Sequence, residues 1–189
     1  MLDFFVYGTL LDDDVRALVL GRGGPAESPT PATLVGFRRV PVMGHRFPVL
    51  IADPRGRVEG ALIAGVGIAE AARLSYFEGP EYQALRRPVE RADGSAGDAW
   101  LFVPAPRQPF MPGLRPRPGS WDLATWQRRH KARYLPGLRR TMDAAPAPLL
   151  AELRQAWQER MRQPANSRAG QPAKSTAPRP GGAGRVRRN

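Results

Sequence analysis

Two short segments combine residue types that could do chemistry. Near the N-terminus, Tyr7, Gly8, Thr9 and Leu10, which we call the 7–10 loop, follow an apolar run and precede a predicted helix. A glycine at such a junction lets backbone N–H groups converge on an anion or a developing oxyanion. Much further along, Glu78 lies at a predicted helix end among apolar and aromatic neighbours. A carboxylate in that setting is a candidate general acid or base.

Each segment also has a simpler interpretation, and most other chemistries are excluded. A glycine after a strand is commonly only a turn, and a Glu at a helix end is commonly solvated. The sequence contains no dinucleotide-binding glycine loop, phosphate-binding loop or serine-hydrolase elbow. The chain has no cysteine, and its only histidines are His45 and His130, which excludes thiolate nucleophiles and Cys- or His-rich metal sites. We therefore expect neither a metal nor a cofactor.

The elements that must position these segments alternate between strands and short helices. Hydrophobic patterning and turn residues predict strands at 2–7, 33–42, 49–52, 58–66, 83–91 and 98–103, with helices at 12–20 and 69–77. The segment 105–119, rich in Pro and Arg, is predicted as an irregular connector. This order indicates a strand-dominated α+β domain of a size that can bury its own core.

Two helices are predicted after the connector. The first, started by Ser120, carries an apolar stripe at spacings of three and four, made of Leu123, Trp126, His130 and Tyr134. Pro136 should end or kink this helix. A last helix starting near Pro148 has one apolar face, formed by Leu149, Leu153, Ala156, Trp157 and Met161. We expect both helices to pack on the sheet, so that residues 1–162 form one domain.

The composition changes near Gln163. Residues 163–189 contain no acidic or aromatic residue, and they hold six of the 29 Lys and Arg residues in a chain of formal net charge +12. Such a composition predicts a disordered basic tail, which could bind a polyanion weakly. No apolar run approaches the roughly 20 residues that cross a bilayer, and the N-terminus lacks an export signal. We therefore expect a cytoplasmic protein.

Together, the two chemical segments resemble a known family. Phe5-Val6-Tyr7-Gly8-Thr9-Leu10, followed by Glu78-Gly79-Pro80-Glu81-Tyr82, is similar to the motifs of the gamma-glutamylcyclotransferase-like family. Phe47-Pro48-Val49-Leu50 and Val58-Glu59-Gly60-Ala61-Leu62 resemble the middle strands of that family. The resemblance covers about residues 3–104, so the C-terminal helices lie outside it.

The resemblance implies a small mixed β-barrel with peripheral helices and a cofactor-independent reaction. That reaction, formally a transferase or lyase reaction, cyclises a small-molecule γ-glutamyl compound to 5-oxoproline and releases the attached amine or amino acid. By position, backbone groups of the 7–10 loop would hold the glutamyl end, Glu78 would be the acid/base, and Tyr82 would line the pocket. The sequence departs from the family pattern at two places: Phe77 stands where family members often have Tyr, and the Arg that often closely follows the motif's Tyr is displaced to Arg86 and Arg87. These departures leave the identity of the substrate open.

The residue types suit this chemistry, although a second class of function stays open. The substrate's own α-amine is the nucleophile, so proximity supplies much of the rate. An unperturbed Glu has a pKa near 4.3 and an α-amine a pKa near 8, so proton transfer from the ammonium to the carboxylate is uphill by about 5 kcal/mol. Burial would raise the pKa of Glu78 and so reduce this cost. The alternative is a non-catalytic binding protein of the same fold that uses its basic C-terminal third on nucleic acid or another polyanion.

Overall fold

Five strands form a closed barrel in the computed structural model, which describes residues 1–22, 28–105 and 114–162. The strands are β1 (Leu2–Val6), β2 (Thr30–Pro41), β3 (Pro48–Val66), β4 (Tyr82–Arg91) and β5 (Ala96–Pro104). Their order around the barrel is β1-β3-β2-β4-β5, and β1 closes the ring by pairing in parallel with β5. The other pairs are antiparallel. This architecture confirms the predicted α+β barrel.

Apart from Asp3, the first strand is apolar because it belongs to two cores. Phe5 and the following Tyr7 pack inside the barrel with residues such as Leu34. Phe4 and Val6 point the other way and pack against the helices that surround the barrel. Side chains alternate between the faces of a strand, so a strand buried on both faces shows a continuous apolar run.

One long strand replaces the two predicted at 49–52 and 58–66. Pairing with β2 steps from Ala52 to Arg57, which leaves the residues between them as a bulge in β3. Pro54 lies in this bulge, where its missing N–H does not break the ladder. The prediction of two strands was wrong because the bulge accommodates Pro54 and Gly56, residue types that ordinarily interrupt a strand.

Short helices surround the barrel. They are α1 (Asp13–Leu20), α2 (Ile68–Glu78), α3 (Leu123–Trp126), a π-helical turn (Gln127–Lys131), α4 (Ala132–Asp143) and α5 (Ala147–Arg162), with a 3-10 turn at Thr9–Leu11. Within the described residues, no helix is long and apolar enough to span a membrane. The predicted basic tail, residues 163–189, and much of the predicted connector lie outside the described residues.

The C-terminal helices depart from two sequence-based expectations. Asp122 rather than Ser120 caps the first of them, by accepting a hydrogen bond from the Thr125 N–H at 2.7 Å. Of the two outcomes expected at Pro136, an end of the helix does not occur, since α4 continues to Asp143, and a kink stays a prediction. A proline removes one helical hydrogen bond, but Leu138 and Met142 are buried in the core and hold the later turns in place.

Trp157 is the buried side chain of the last helix, which packs on the outside of the barrel. The Trp157 ring makes edge contacts with Phe4 and Trp100, at centroid distances of 5.4 and 5.1 Å. Its Nε1–H donates to Ser75 Oγ on α2 at 2.8 Å. Burying an aromatic body while satisfying its polar N–H is the arrangement expected of a well-packed Trp.

Candidate active site

The 7–10 loop leaves the end of β1 and is held from both sides. The Tyr7 hydroxyl donates to the Phe102 carbonyl on β5 at 2.9 Å, and Arg39 Nη1 donates to the Tyr7 carbonyl at 2.8 Å. The 3-10 turn that follows uses the N–H groups of Leu11 and Asp12, which donate to the carbonyls of the loop. The N–H groups of Thr9 and Leu10 open the turn and donate no hydrogen bond within it, so the loop can present them to a ligand.

The end of α2 delivers Glu78 to the same end of the barrel. Glu70 fixes the start of this helix by accepting the Gly67 N–H at 2.8 Å, and Leu74 is buried beneath it. Gly79 then takes φ +80°, a conformation that favours glycine, and the chain turns directly into β4. Glu78 and Tyr82 therefore stand on either side of one tight turn.

These segments enclose a cleft with a cavity volume of about 130 Å³. The structure brings together all six residues named from the sequence, because Tyr7, Gly8, Thr9, Leu10, Glu78 and Tyr82 all line this cleft. The rest of its wall is apolar or aromatic and consists of Phe4, Phe5, Val6, Phe47, Pro48, Leu74, Phe77, Phe102 and Tyr134. A small ligand held here would be in reach of both the loop and the Glu78 carboxyl.

The environment of Glu78 changes its acidity. The residue keeps part of its surface exposed to the cleft, but protein atoms surround its carboxyl group, and this desolvation raises its pKa to about 8. No cation is among the causes of the shift. Apolar burial therefore poises this carboxyl group to exchange a proton near neutral pH.

Three tyrosine hydroxyls share this environment. Burial, and then the nearby charge of Glu78, raise the pKa of Tyr7 and of Tyr82 well above the ordinary value. The same two causes raise the pKa of Tyr134 to about 12, although a hydrogen bond with the Thr9 side chain opposes them. All three hydroxyls stay protonated near neutral pH, so each can serve as a hydrogen-bond donor.

Gly8 leaves room for a close approach between the loop and the wall of the cleft. Its φ is −124°, so the loop does not use the positive φ that a glycine allows. Instead, a β-carbon at this position would lie 3.3 Å from both Cγ and Cδ of Pro48. Glycine lets the loop lie close against Pro48 at the wall of the cleft.

Sequence reasoning missed two residues of this region. Tyr134 was interpreted as part of the apolar stripe of a packed helix, yet it lines the cleft. The only signal for it in the sequence was its place on that stripe with Trp126, whose ring it contacts. Arg39, which anchors the loop carbonyl and lies 5.5 Å over the Trp121 ring, carried no signal in the sequence. The described residues contain no cluster of acidic or His side chains that could hold a metal ion.

Comparisons with known proteins give the same fold. The chain matches the family model described as gamma-glutamyl cyclotransferase, AIG2-like, over residues 4–123. AIG2-like protein A from Arabidopsis thaliana is 28% identical over 147 residues, which are 76% of this chain and 83% of that protein. A solution structure of an Arabidopsis thaliana protein is 26% identical, with a TM-score of 0.52, and covers 75% of this chain and 91% of its own.

A second solution structure from Arabidopsis thaliana shares the fold at 23% identity and a TM-score of 0.51, covering 93% of this chain and 95% of its own. An alignment that stopped before α3, which begins at Leu123, could not cover 93% of this chain, so the similarity extends into the C-terminal helices. The family model matches more than half of the sequence, with both chemical segments inside the matched range. The chain therefore belongs to the gamma-glutamyl cyclotransferase, AIG2-like family.

Proposed function

We propose that this protein is a cyclotransferase that converts a γ-glutamyl compound to 5-oxoproline and releases the attached amine or amino acid. The observation that carries the proposal is the position of Glu78: a carboxyl group with a pKa of about 8 lines the same small cleft as the 7–10 loop. A desolvated carboxyl group in a cleft is a common feature of a catalytic site. Membership in the family supports the reaction class.

In this mechanism the loop holds the substrate and Glu78 moves the protons. Backbone N–H groups of the 7–10 loop bind the anionic glutamyl end, which places the α-nitrogen within reach of the γ-carbonyl. Glu78 takes a proton from the α-ammonium, and the freed amine attacks the carbonyl carbon of the γ-glutamyl amide to form the ring C–N bond. Glu78 returns that proton to the leaving nitrogen, and the original C–N bond breaks.

The proton balance closes without a cofactor. When the lactam forms, the ring nitrogen loses a second proton, and that proton completes the released ammonium group. Because the pKa of Glu78 is about 8, its proton exchange with an amine near 8 is close to thermoneutral, instead of uphill by about 5 kcal/mol. Tyr82 remains protonated, so its hydroxyl can stabilise the tetrahedral oxyanion.

A substrate panel tests the proposal. The protein is incubated with γ-glutamyl amino acids, γ-glutamylamines and γ-glutamyl isopeptides, and 5-oxoproline is measured by mass spectrometry. We expect 5-oxoproline from at least one compound with the wild type and none above background with Glu78→Gln. No 5-oxoproline from any compound, with protein that unfolds cooperatively, would contradict the proposal.

The domain organisation and location accompany this proposal. We place the catalytic unit in residues 1–162, with residues 163–189 outside it, in a cytoplasmic protein. The cleft around Glu78 favours the enzyme over the alternative, a non-catalytic polyanion-binding protein that would use the basic C-terminal third, of which exposed Arg128, Arg129 and Arg133 lie in the described helices. The identity of the released group is the question that the substrate panel answers.

A further inference from the structure

One arginine holds the start of the 7–10 loop from outside the cleft. Arg39, on β2, donates through Nη1 to two backbone carbonyls, that of Tyr7 at 2.8 Å and that of Glu59 on β3 at 3.3 Å. A terminal guanidinium nitrogen carries two N–H groups, so it can bind both carbonyls at once. The point at which the chain leaves β1 is therefore tied to β2 and β3.

The bond to the Tyr7 carbonyl also determines where the next N–H points. The Tyr7–Gly8 peptide bond is trans, and in a trans peptide the carbonyl and the following N–H point in opposite directions. The Gly8 N–H therefore points away from Arg39, which lies outside the wall of the cleft that Gly8 lines. Glycine adopts either sign of φ easily, so this peptide could flip and exchange its carbonyl with its N–H. The Arg39 hydrogen bond is satisfied in only one of these two orientations.

Trp121 holds Arg39 and also a second part of the cleft wall. The Arg39 guanidinium lies 5.5 Å from the centroid of the Trp121 ring, which is a cation–π contact. The indole Nε1–H of Trp121 donates to the Arg46 carbonyl at 2.9 Å. Arg46 directly precedes Phe47 and Pro48, which line the cleft. One indole ring thus joins the arginine behind the loop to the segment that forms another part of the wall.

We propose that Arg39 is a positioning residue, held by Trp121, that keeps the Gly8 N–H on the ligand side of the 7–10 loop. The inference rests on the proposed function for its kinetic consequences, but not for its structural ones. It gives the segment just before α3 a part in the active site, because Trp121 lies outside the barrel strands. An arginine that only stabilised the barrel would change the free energy of unfolding without a separate change in the loop.

Two neighbouring arginines provide a matched pair of variants. Arg39→Met removes the guanidinium and keeps an unbranched apolar stem beside Trp121. Arg38→Met is the control, because the Arg38 side chain lies on the opposite face of β2, is 59% exposed and pairs with Asp53 at 3.5 Å. Both variants lower the net charge by one, so the long-range attraction of an anionic substrate changes to the same extent in the two.

Hydrogen exchange gives a readout that needs no substrate. The Leu11 and Asp12 amides donate to carbonyls of the 7–10 loop, so their exchange rates report how well the loop is held. We expect Arg39→Met to accelerate exchange at these two amides by about fivefold, the change expected for one net hydrogen bond. Arg38→Met should leave their exchange unchanged.

Two exchange results would overturn the proposal, even if no γ-glutamyl compound proved to be a substrate. One is wild-type exchange at the Leu11 and Asp12 amides of Arg39→Met. The other is an equal acceleration at the amide of Leu101, a buried residue of β5, because that result would show only a loss of global stability.

A double variant tests whether Trp121 acts through Arg39. Trp121→Leu removes the ring beside the guanidinium, and we expect it to accelerate exchange at the same two amides about threefold, the size of an exposed cation–π contact. In the Arg39→Met background this additional change should disappear. Independent, additive effects of the two substitutions would overturn the role assigned to Trp121.

Kinetics then test the consequence for the substrate. With a compound that the wild type turns over, we expect Arg39→Met to raise KM about fivefold and to change kcat less than about twofold, because the loop binds the glutamyl end and Glu78 moves the protons. Arg38→Met should keep both values within about twofold of the wild type. Equal KM values in the two arginine variants would overturn the proposal. Failure of the whole substrate panel would count against the proposed function and leave the exchange result to decide the positioning role.

Discussion

Two cavities meet at the turn between α2 and β4, and they differ in what surrounds them. The first is the cleft of about 130 Å³ that contains Glu78. The second, which we call the α5 groove, has a cavity volume of about 500 Å³ and lies between α2, β4 and α5. Tyr82 and Phe102 contribute to both walls. The smaller cavity is the better candidate for catalysis.

The difference that matters for catalysis is in the chemistry of the two walls and not in the two volumes. The α5 groove is walled mainly by apolar and aromatic side chains, and its one charged lining residue, Arg160, lies over the Trp100 and Trp157 rings and contacts the Ala84 carbonyl. The cleft instead surrounds a carboxyl group whose pKa is raised to about 8, close to three protonated tyrosines. A reaction needs a proton acceptor at the right pKa, and volume alone does not supply one.

The largest expected effect comes from removing that proton acceptor. Glu78→Gln keeps the size and shape of the side chain, so we expect kcat to fall by at least about a hundredfold. The matched groove variant is Ala156→Phe, which fills part of the α5 groove from an exposed position and should leave kcat and KM within about twofold of the wild type. Steady-state assays of 5-oxoproline release measure both. Equal losses in the two variants would remove the distinction between the cavities.

A smaller effect is expected from crowding the loop. In Gly8→Ala the new β-carbon lies 3.3 Å from Pro48, so the loop or Pro48 must move, and we expect KM to rise about tenfold, or about 1.4 kcal/mol of binding energy. Gly137→Ala is the control, because a β-carbon there meets no atom within 4 Å. An unchanged KM in Gly8→Ala would show that the loop does not hold the substrate in the way proposed.

The raised pKa of Glu78 also predicts how stability depends on pH. The folded state holds this proton more tightly than the unfolded chain, so the stability contribution is complete below pH 4.5 and is lost as the pH rises to about 8. Glu78→Gln cannot lose a proton. Its Tm should therefore rise relative to that of the wild type between pH 4.5 and 8, by about 10 °C for a full shift of roughly 5 kcal/mol, and the difference should stay constant at higher pH.

Thermal unfolding at a series of pH values measures this difference, with Glu81→Gln as the control. Glu81 is close in sequence but does not line the cleft. A constant Tm difference between Glu78→Gln and the wild type from pH 4.5 to 9 would show that the carboxyl group is not desolvated. In that case the chemical contrast with the α5 groove would disappear.

The smallest effect is expected beyond α5. A chain that ends at Arg162 keeps the helix that walls the α5 groove, and it should keep its Tm within about 1 °C and its turnover within about twofold, as expected when a segment outside the domain is removed. It should lose any salt-sensitive affinity for nucleic acid that the full chain has. Loss of cooperative unfolding on this truncation would show that residues 163–189 belong to the domain.

Much of the site could be predicted from the sequence because local patterns determine it. The apolar run before Tyr7 and the glycine after it define a strand followed by a loop. The end of α2 was predicted within one residue, because Gly79 and Pro80 follow Glu78 directly and cannot continue a helix easily. These signals lie within a few residues of the structure that they determine.

Only the tertiary structure decided which elements meet, and through them the chemistry of the site. Tyr134 lines the cleft although it lies far from Glu78 in the sequence, and the π-helical turn just before it binds Asp12, which is equally distant along the chain. The continuation of α4 past Pro136 depends on the core that receives Leu138. The pKa of Glu78 depends on burial by side chains from several elements. Desolvation and packing are sums over neighbours in space, and a sequence lists only neighbours along the chain.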